Sequence, residues 1–120
     1  VFYRHADETE EITAGDGCRL VELANPLKES FGLDCSVARC ILEEGRRTHR
    51  HTLRSCEVYY FIKGKGRLHI SERTLSVRAG TLAEVPRGEI QYLENSGKGN
   101  MEFLCLVRPA WRKDEEEIIY

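Results

Sequence analysis

GRRTHRHTLRSCEVYYFIKG, residues 45–64, is the stretch whose reading decides the fold. It sets His49 and His51 two residues apart, follows them with Glu57, and runs through aromatic and β-branched residues to Gly64. In extended backbone successive side chains alternate faces, so His49 and His51 are expected to project the same way, roughly 7 Å apart at Cα. Two imidazole nitrogens at that spacing can converge on one cation at about 2.0–2.1 Å each. Glu57 opens the next extended segment and offers a charged oxygen to the same centre. Tyr59 and Phe61 share the Glu57 face, which reads either as the wall of a ligand cavity or as ordinary barrel core. Taken alone, the histidine pair also suits two exposed side chains beside four arginines.

Outward from there, residues 80–95, GTLAEVPRGEIQYLEN, give a glycine, a short apolar strand, a Pro-Arg-Gly turn and a second strand carrying Gln91. The two blocks together resemble the paired signature motifs of the cupin family. Gly45, His49, His51, Glu57 and Gly64 match the first motif; Gly80, Pro86, Gly88 and Asn95 match the second, with Gln91 where the family usually has a histidine. The gap before His49 is shorter than usual and the gap from His51 to Glu57 is longer, both changes that loops at strand ends tolerate. Gln91 exchanges an imidazole nitrogen for a weaker amide oxygen.

The resemblance implies an all-β, double-stranded β-helix, the cupin jelly-roll barrel. It implies one divalent ion, Fe, Mn, Ni or Zn, held by His49, His51, Glu57 and Gln91; such a donor set does not select among these metals. It also implies a homodimer, often with exchanged N-terminal strands. Among activities it points to sugar-phosphate isomerases of the mannose type, with Glu57 and Tyr59 as candidate proton carriers. Dioxygenases cleaving an enediol or a phenol are the alternative, and a non-catalytic metal- or sugar-binding module is the third reading. The expected substrate is small and anionic or sugar-like. An anion is suggested by Arg46, Arg47, Arg50 and Arg54, which bracket the ligands, and by Arg39, which has the option of pointing inward, although the same arginines equally suit a solvated loop rim. Arg39, Arg47, Phe61 and Phe103 are the expected substrate contacts.

The rest of the chain agrees. At 120 residues, with 41% hydrophobic and 32% charged, it is long enough for one packed domain without staples. A net charge of −2 argues against a nucleic-acid partner, which calls for a clearly basic domain. No apolar run is long enough to span a bilayer and no signal pattern opens the chain, so no membrane partner is expected and the cytoplasm is the default. Five cysteines with no Cys-x-x-Cys read as free thiols in a reducing compartment. Residues 1–17 are expected to form an N-terminal arm that a dimer could exchange, 18–108 the barrel, and 109–120 an acidic C-terminal segment. Strands are expected at 18–23, 35–42, 57–63, 67–71, 74–77, 82–85, 89–93 and 101–107, with a hairpin turn at 64–66. The charge run at 113–117 reads as a solvated tail or short terminal helix, and Trp111 as a residue able to pack it back on the barrel. His69 is expected outside the site.

Overall fold

The computed structural model describes residues 1–120 as eleven antiparallel strands with two single turns of 3-10 helix. The strands are β1 Ile12–Thr13, β2 Arg19–Ala24, β3 Ser36–Leu42, β4 His51–Leu53, β5 Cys56–Lys63 and β6 Lys65–Ile70. They continue with β7 Arg73–Arg78, β8 Leu82–Val85, β9 Gln91–Asn95, β10 Met101–Arg108 and β11 Glu116–Ile118. One sheet runs β1-β2-β3-β10-β5-β8 and the other β11-β4-β9-β6-β7, which is the expected jelly-roll barrel. No helix is long and apolar enough to cross a membrane.

Alternation builds the core. Along β5 the inward Glu57, Tyr59 and Phe61 are buried while Tyr60 and Ile62 are exposed. Along β10 the inward Met101, Phe103, Cys105 and Val107 are buried. Register pairs Phe61 with Phe103 and Tyr59 with Cys105, so three aromatic rings meet at centroid separations of 5.5–5.8 Å. Fully burying each such side chain stabilises by about 1.5–3 kcal/mol. Leu68 and Leu93, opposed across β6 and β9, close the core from the second sheet. β10 lies between β3 and β5, as its apolar content predicted, yet its outer face is open: Leu106 is 37% exposed.

Two expectations are corrected. Residues 64–66 do not make a hairpin, because β5 and β6 lie in different sheets; Gly64, at φ 90°, is the corner where the chain crosses between them. Gly66 passes so close to its neighbour that an added Cβ would fall 2.0 Å from the Glu94 carbonyl oxygen. The acidic C-terminal run is not a solvated tail, and the short terminal helix in it is a single 3-10 turn. After a 3-10 turn at Lys113–Glu115 it becomes β11, which covers the exposed edge of β4.

That C-terminal segment is anchored by buried side chains. Asn25 Nδ2 donates to the Trp111 carbonyl at 3.1 Å, and the Trp111 amide donates to Ser36 Oγ at 2.9 Å. Ser55 Oγ donates to the Pro109 carbonyl at 2.7 Å. In the N-terminal segment, β1 pairs with β2. Both terminal segments therefore reach the mouth of the barrel.

Candidate functional site

Inward side chains of the six-stranded sheet, β4, β11 and the loop at Asp16 enclose a cavity of about 480 Å³. The strands place four expected residues together. His51 begins β4, is 2% exposed and stands opposite Gln91 of β9 in register. Glu57 and Tyr59 face it from β5, and the Tyr59 hydroxyl donates to Gln91 Oε1. Gln91 is itself buried.

His51 Nδ1 lies 2.8 Å from the His49 carbonyl oxygen. A carbonyl only accepts, so Nδ1 carries the proton in that bond and, in the neutral ring, Nε2 keeps its lone pair. Nε2 points to Asp16, 3.8 Å from Oδ2. Asp16 Oδ1 accepts from the Cys18 amide at 3.0 Å, which leaves Oδ2 as the oxygen turned to His51.

Glu57 is the electrostatic centre of the cavity. Its Oε1 is buried with no hydrogen-bond partner. Burial pushes the carboxyl up to about 7, against the opposing pull of His51 and of hydrogen bonds from Cys105 and Gln91. Burial also holds the Tyr59 phenol well above its usual range, so Tyr59 keeps its proton and serves as a donor to Gln91. Glu116 is raised too, first by burial and then by the Asp16 charge.

Other expected residues lie elsewhere. His49 is exposed and does not line the cavity; its ring lies 3.6–3.7 Å from where a Gly17 Cβ would be. The reason is local backbone. Pairing in β4 starts only at His51, and residues 48–50 form a loop in which Thr48 turns inward, its Oγ1 accepting from the Leu93 amide at 2.9 Å. Inward residues are thus three apart here, and the period-2 rule that grouped His49 with His51 does not apply.

Arg39 stays on the outer face, 3.5 Å from Glu102, and Arg47 is an exposed residue bridged to Glu94 through its backbone. Neither they nor Arg46 and Arg54 line the cavity. Phe103 does line it, whereas Phe61 is packed one layer deeper, stacked on Tyr59. His69 is away from the site, stacked on Tyr92 and bonded to Glu94.

Sequence reasoning missed Asp16, Glu116, Trp111 and the thiols of Cys18, Cys40 and Cys105, all of which line the cavity. Asp16 sits in a Gly-Asp-Gly turn and Glu116 in a charge run, and neither pattern marks a site. All five cysteines are free, and burial carries the Cys105 thiol up to about 12.

No three histidine, cysteine or carboxylate side chains converge as a metal ion requires. With His49 turned outward, His49, His51, Glu57 and Gln91 do not form a four-donor site.

The cupin domain family matches residues 38–107. An uncharacterised protein of Methanocaldococcus jannaschii is 27% identical over 115 residues, covering 94% of this chain and 90% of that protein. An oxalate-binding protein of Thermotoga maritima is 31% identical over 51 residues, 42% of each chain. Among solved structures, a variant of the Streptomyces protein Pac13 with uridine superposes at TM-score 0.79 with 20% identity, covering all of this chain and 92% of the other. Pac13 is described as a nucleoside dehydratase. A predicted oxalate decarboxylase of Thermotoga maritima superposes at TM-score 0.76 with 24% identity, covering 89% and 98%. At these identities the superpositions establish a shared fold.

Proposed function

The chain belongs to the cupin family, and from that premise we propose that it is a small-molecule enzyme of the isomerase or lyase type in which His51 and Glu57 exchange a proton with the substrate. The observation that carries this reading is Glu57, a buried carboxyl with one partnerless oxygen, raised to about 7 beside an imidazole of fixed tautomer. A group with that affinity is part protonated near neutrality and serves as acid or base in turn. Isomerisation next to a carbonyl needs that property: a proton leaves one carbon and returns to its neighbour. Gln91, held by Tyr59, fixes the polar floor beside the carboxylate, and Phe103 supplies apolar wall.

The substrate in this reading is not a sugar phosphate. The arginines that motivated an anionic ligand do not line the cavity, and Asp16 and Glu116 line it with the pair. The test is proton exchange in D₂O, followed by NMR, over a panel of aldoses, ketoses and their amino derivatives in the presence of EDTA. Exchange at carbon that disappears in Glu57→Gln and His51→Gln supports the reading; exchange that survives both substitutions overturns it.

A second reading keeps one divalent ion, Fe, Mn, Ni or Zn, and with it the dioxygenase alternative. It is favoured by His51, whose Nδ1 is tied to a carbonyl and whose Nε2 faces the cavity, the arrangement in which ligating imidazoles are held. It requires His49 to leave Gly17 and turn inward. One metal per chain in protein purified without chelator, lost in His51→Ala, would select it.

A homodimer belongs to the same proposal, because Tyr60, Ile62, Leu82 and Leu106 leave an exposed apolar outer face on the six-stranded sheet. Residues 1–17 are the candidate exchangeable arm in that assembly; they reach the barrel through the two β1–β2 pairs, Arg4 on Glu29 and Phe2 on Phe31. Sedimentation of the purified protein reads the stoichiometry directly.

A further inference from the structure

Three carboxylates face the cavity around His51 without a cation of this chain to neutralise them. Asp16 Oδ2 lies 3.8 Å from His51 Nε2. The Glu116 carboxylate lies against Gly15, so close that a Cβ there would fall 2.9 Å from Oε1, and its Oε2 accepts from Trp111 Nε1 at 3.3 Å. Glu57 stands on the floor, 7% exposed, with Oε1 unpartnered. The fourth lining carboxylate, Glu22, is already paired with Lys28 Nζ at 2.7 Å. Lys113 is the only other lining residue of positive charge; it is exposed and makes no ion pair with these groups. Three acidic groups lining one cavity leave it short of hydrogen-bond donors and of positive charge. The rest of the lining is largely apolar, with Leu20, Ala38 and Phe103 and the Trp111 ring, over which Lys28 Nζ lies 5.8 Å from the centroid.

We propose that the cavity takes an organic ammonium compound, its charged nitrogen held between Asp16 and Glu116 above Glu57, and its carbon body on the apolar wall. The assignment rests on the proposed function's reading of the cavity as a ligand site and names the ligand's charge and shape. Neither Asp16 nor Glu116 belongs to the two motifs that identify the fold. They come from the N-terminal loop and from β11, so the terminal segments set specificity while the barrel strands hold the proton-transfer groups.

Trp111 is the only tryptophan and lines the cavity, so its fluorescence reports occupancy without a label. Benzylammonium, benzyl alcohol and benzoate share one shape and differ in charge, and each is titrated into the wild-type protein, Glu116→Gln and Asp16→Asn/Glu116→Gln. Benzylammonium is expected to bind about tenfold or more tighter than benzyl alcohol. That preference should fall in Glu116→Gln and vanish in the double variant. Glu116→Gln carries the test if the double variant does not fold. Benzoate binding as tightly as benzylammonium, or a preference that survives both variants, overturns the assignment. Binding of the alcohol and benzoate with no ammonium preference removes only this inference and leaves the ligand cavity. Silence from all three up to about 20 mM counts against both, since even millimolar affinity would register.

Discussion

The floor and the rim of the cavity are built by different physics. The floor (His51, Glu57, Tyr59 and Gln91) sits on barrel strands: Glu57 and Tyr59 on β5 against the aromatic core, and His51 opposite Gln91 across β4 and β9. The rim, Asp16, Trp111 and Glu116, hangs on terminal segments: Asp16 in a turn before β2, Trp111 in a loop tied by Asn25 and Ser36, and Glu116 at the start of a three-residue strand paired only with β4. Chemistry that needs a carboxyl buried and oriented can be placed only on the floor. Selection among ligands tolerates looser placement and falls to the rim.

The sharpest way to break this contrast is to cut into the layer beneath the floor. Phe61→Ala should destabilise the fold by about 3–5 kcal/mol in urea unfolding, because it opens a cavity between Tyr59 and Phe103. A loss near zero would mean that the floor does not depend on the core.

Next comes Glu57. Its folded carboxyl is raised from 4.5 to about 7, so the folded state holds the proton more tightly than the unfolded chain. Stability is therefore full while the group is protonated and declines as pH rises from about 4.5 through about 7, by about 3 kcal/mol in all. Glu57→Gln should abolish that decline and leave the variant more stable than wild type at pH 8, read from melting temperature against pH. A metal-bound, permanently ionised Glu57 would give no such decline in wild type.

On the rim, Asn25→Ala should cost about 1–3 kcal/mol by leaving the Trp111 carbonyl without its buried donor. Trp111 emission should shift to the red in the same variant while the pH dependence assigned to Glu57 persists. If that dependence disappeared as well, floor and rim would be a single unit.

The same contrast explains what could be read from the sequence. β5 and β10 announce themselves as apolar, β-branched and aromatic runs, and β9 by its place after the Pro-Arg-Gly turn although it starts at Gln91, two residues later than expected. With them Glu57, Tyr59 and Phe103 fall on the cavity face. His49 was misplaced because alternation was carried through residues 48–50, where the backbone is a loop and Thr48 takes the inward position. Gly64 looked like a hairpin because a glycine at positive φ serves a turn and a sheet-to-sheet corner equally well. Asp16 and Glu116 were illegible, since nothing local says that two charged segments a hundred residues apart meet over one histidine. β11 exists because the edge of β4 needs a partner, and that is a property of the sheet.

The central claim is that Glu57 titrates near neutrality inside the folded barrel. The direct measurement is the side-chain carboxyl ¹³C shift of Glu57 followed by NMR against pH in metal-free protein, assigned by its loss in Glu57→Gln. A midpoint near 7 is the predicted result. A midpoint at the ordinary glutamate value of about 4.3 would contradict it.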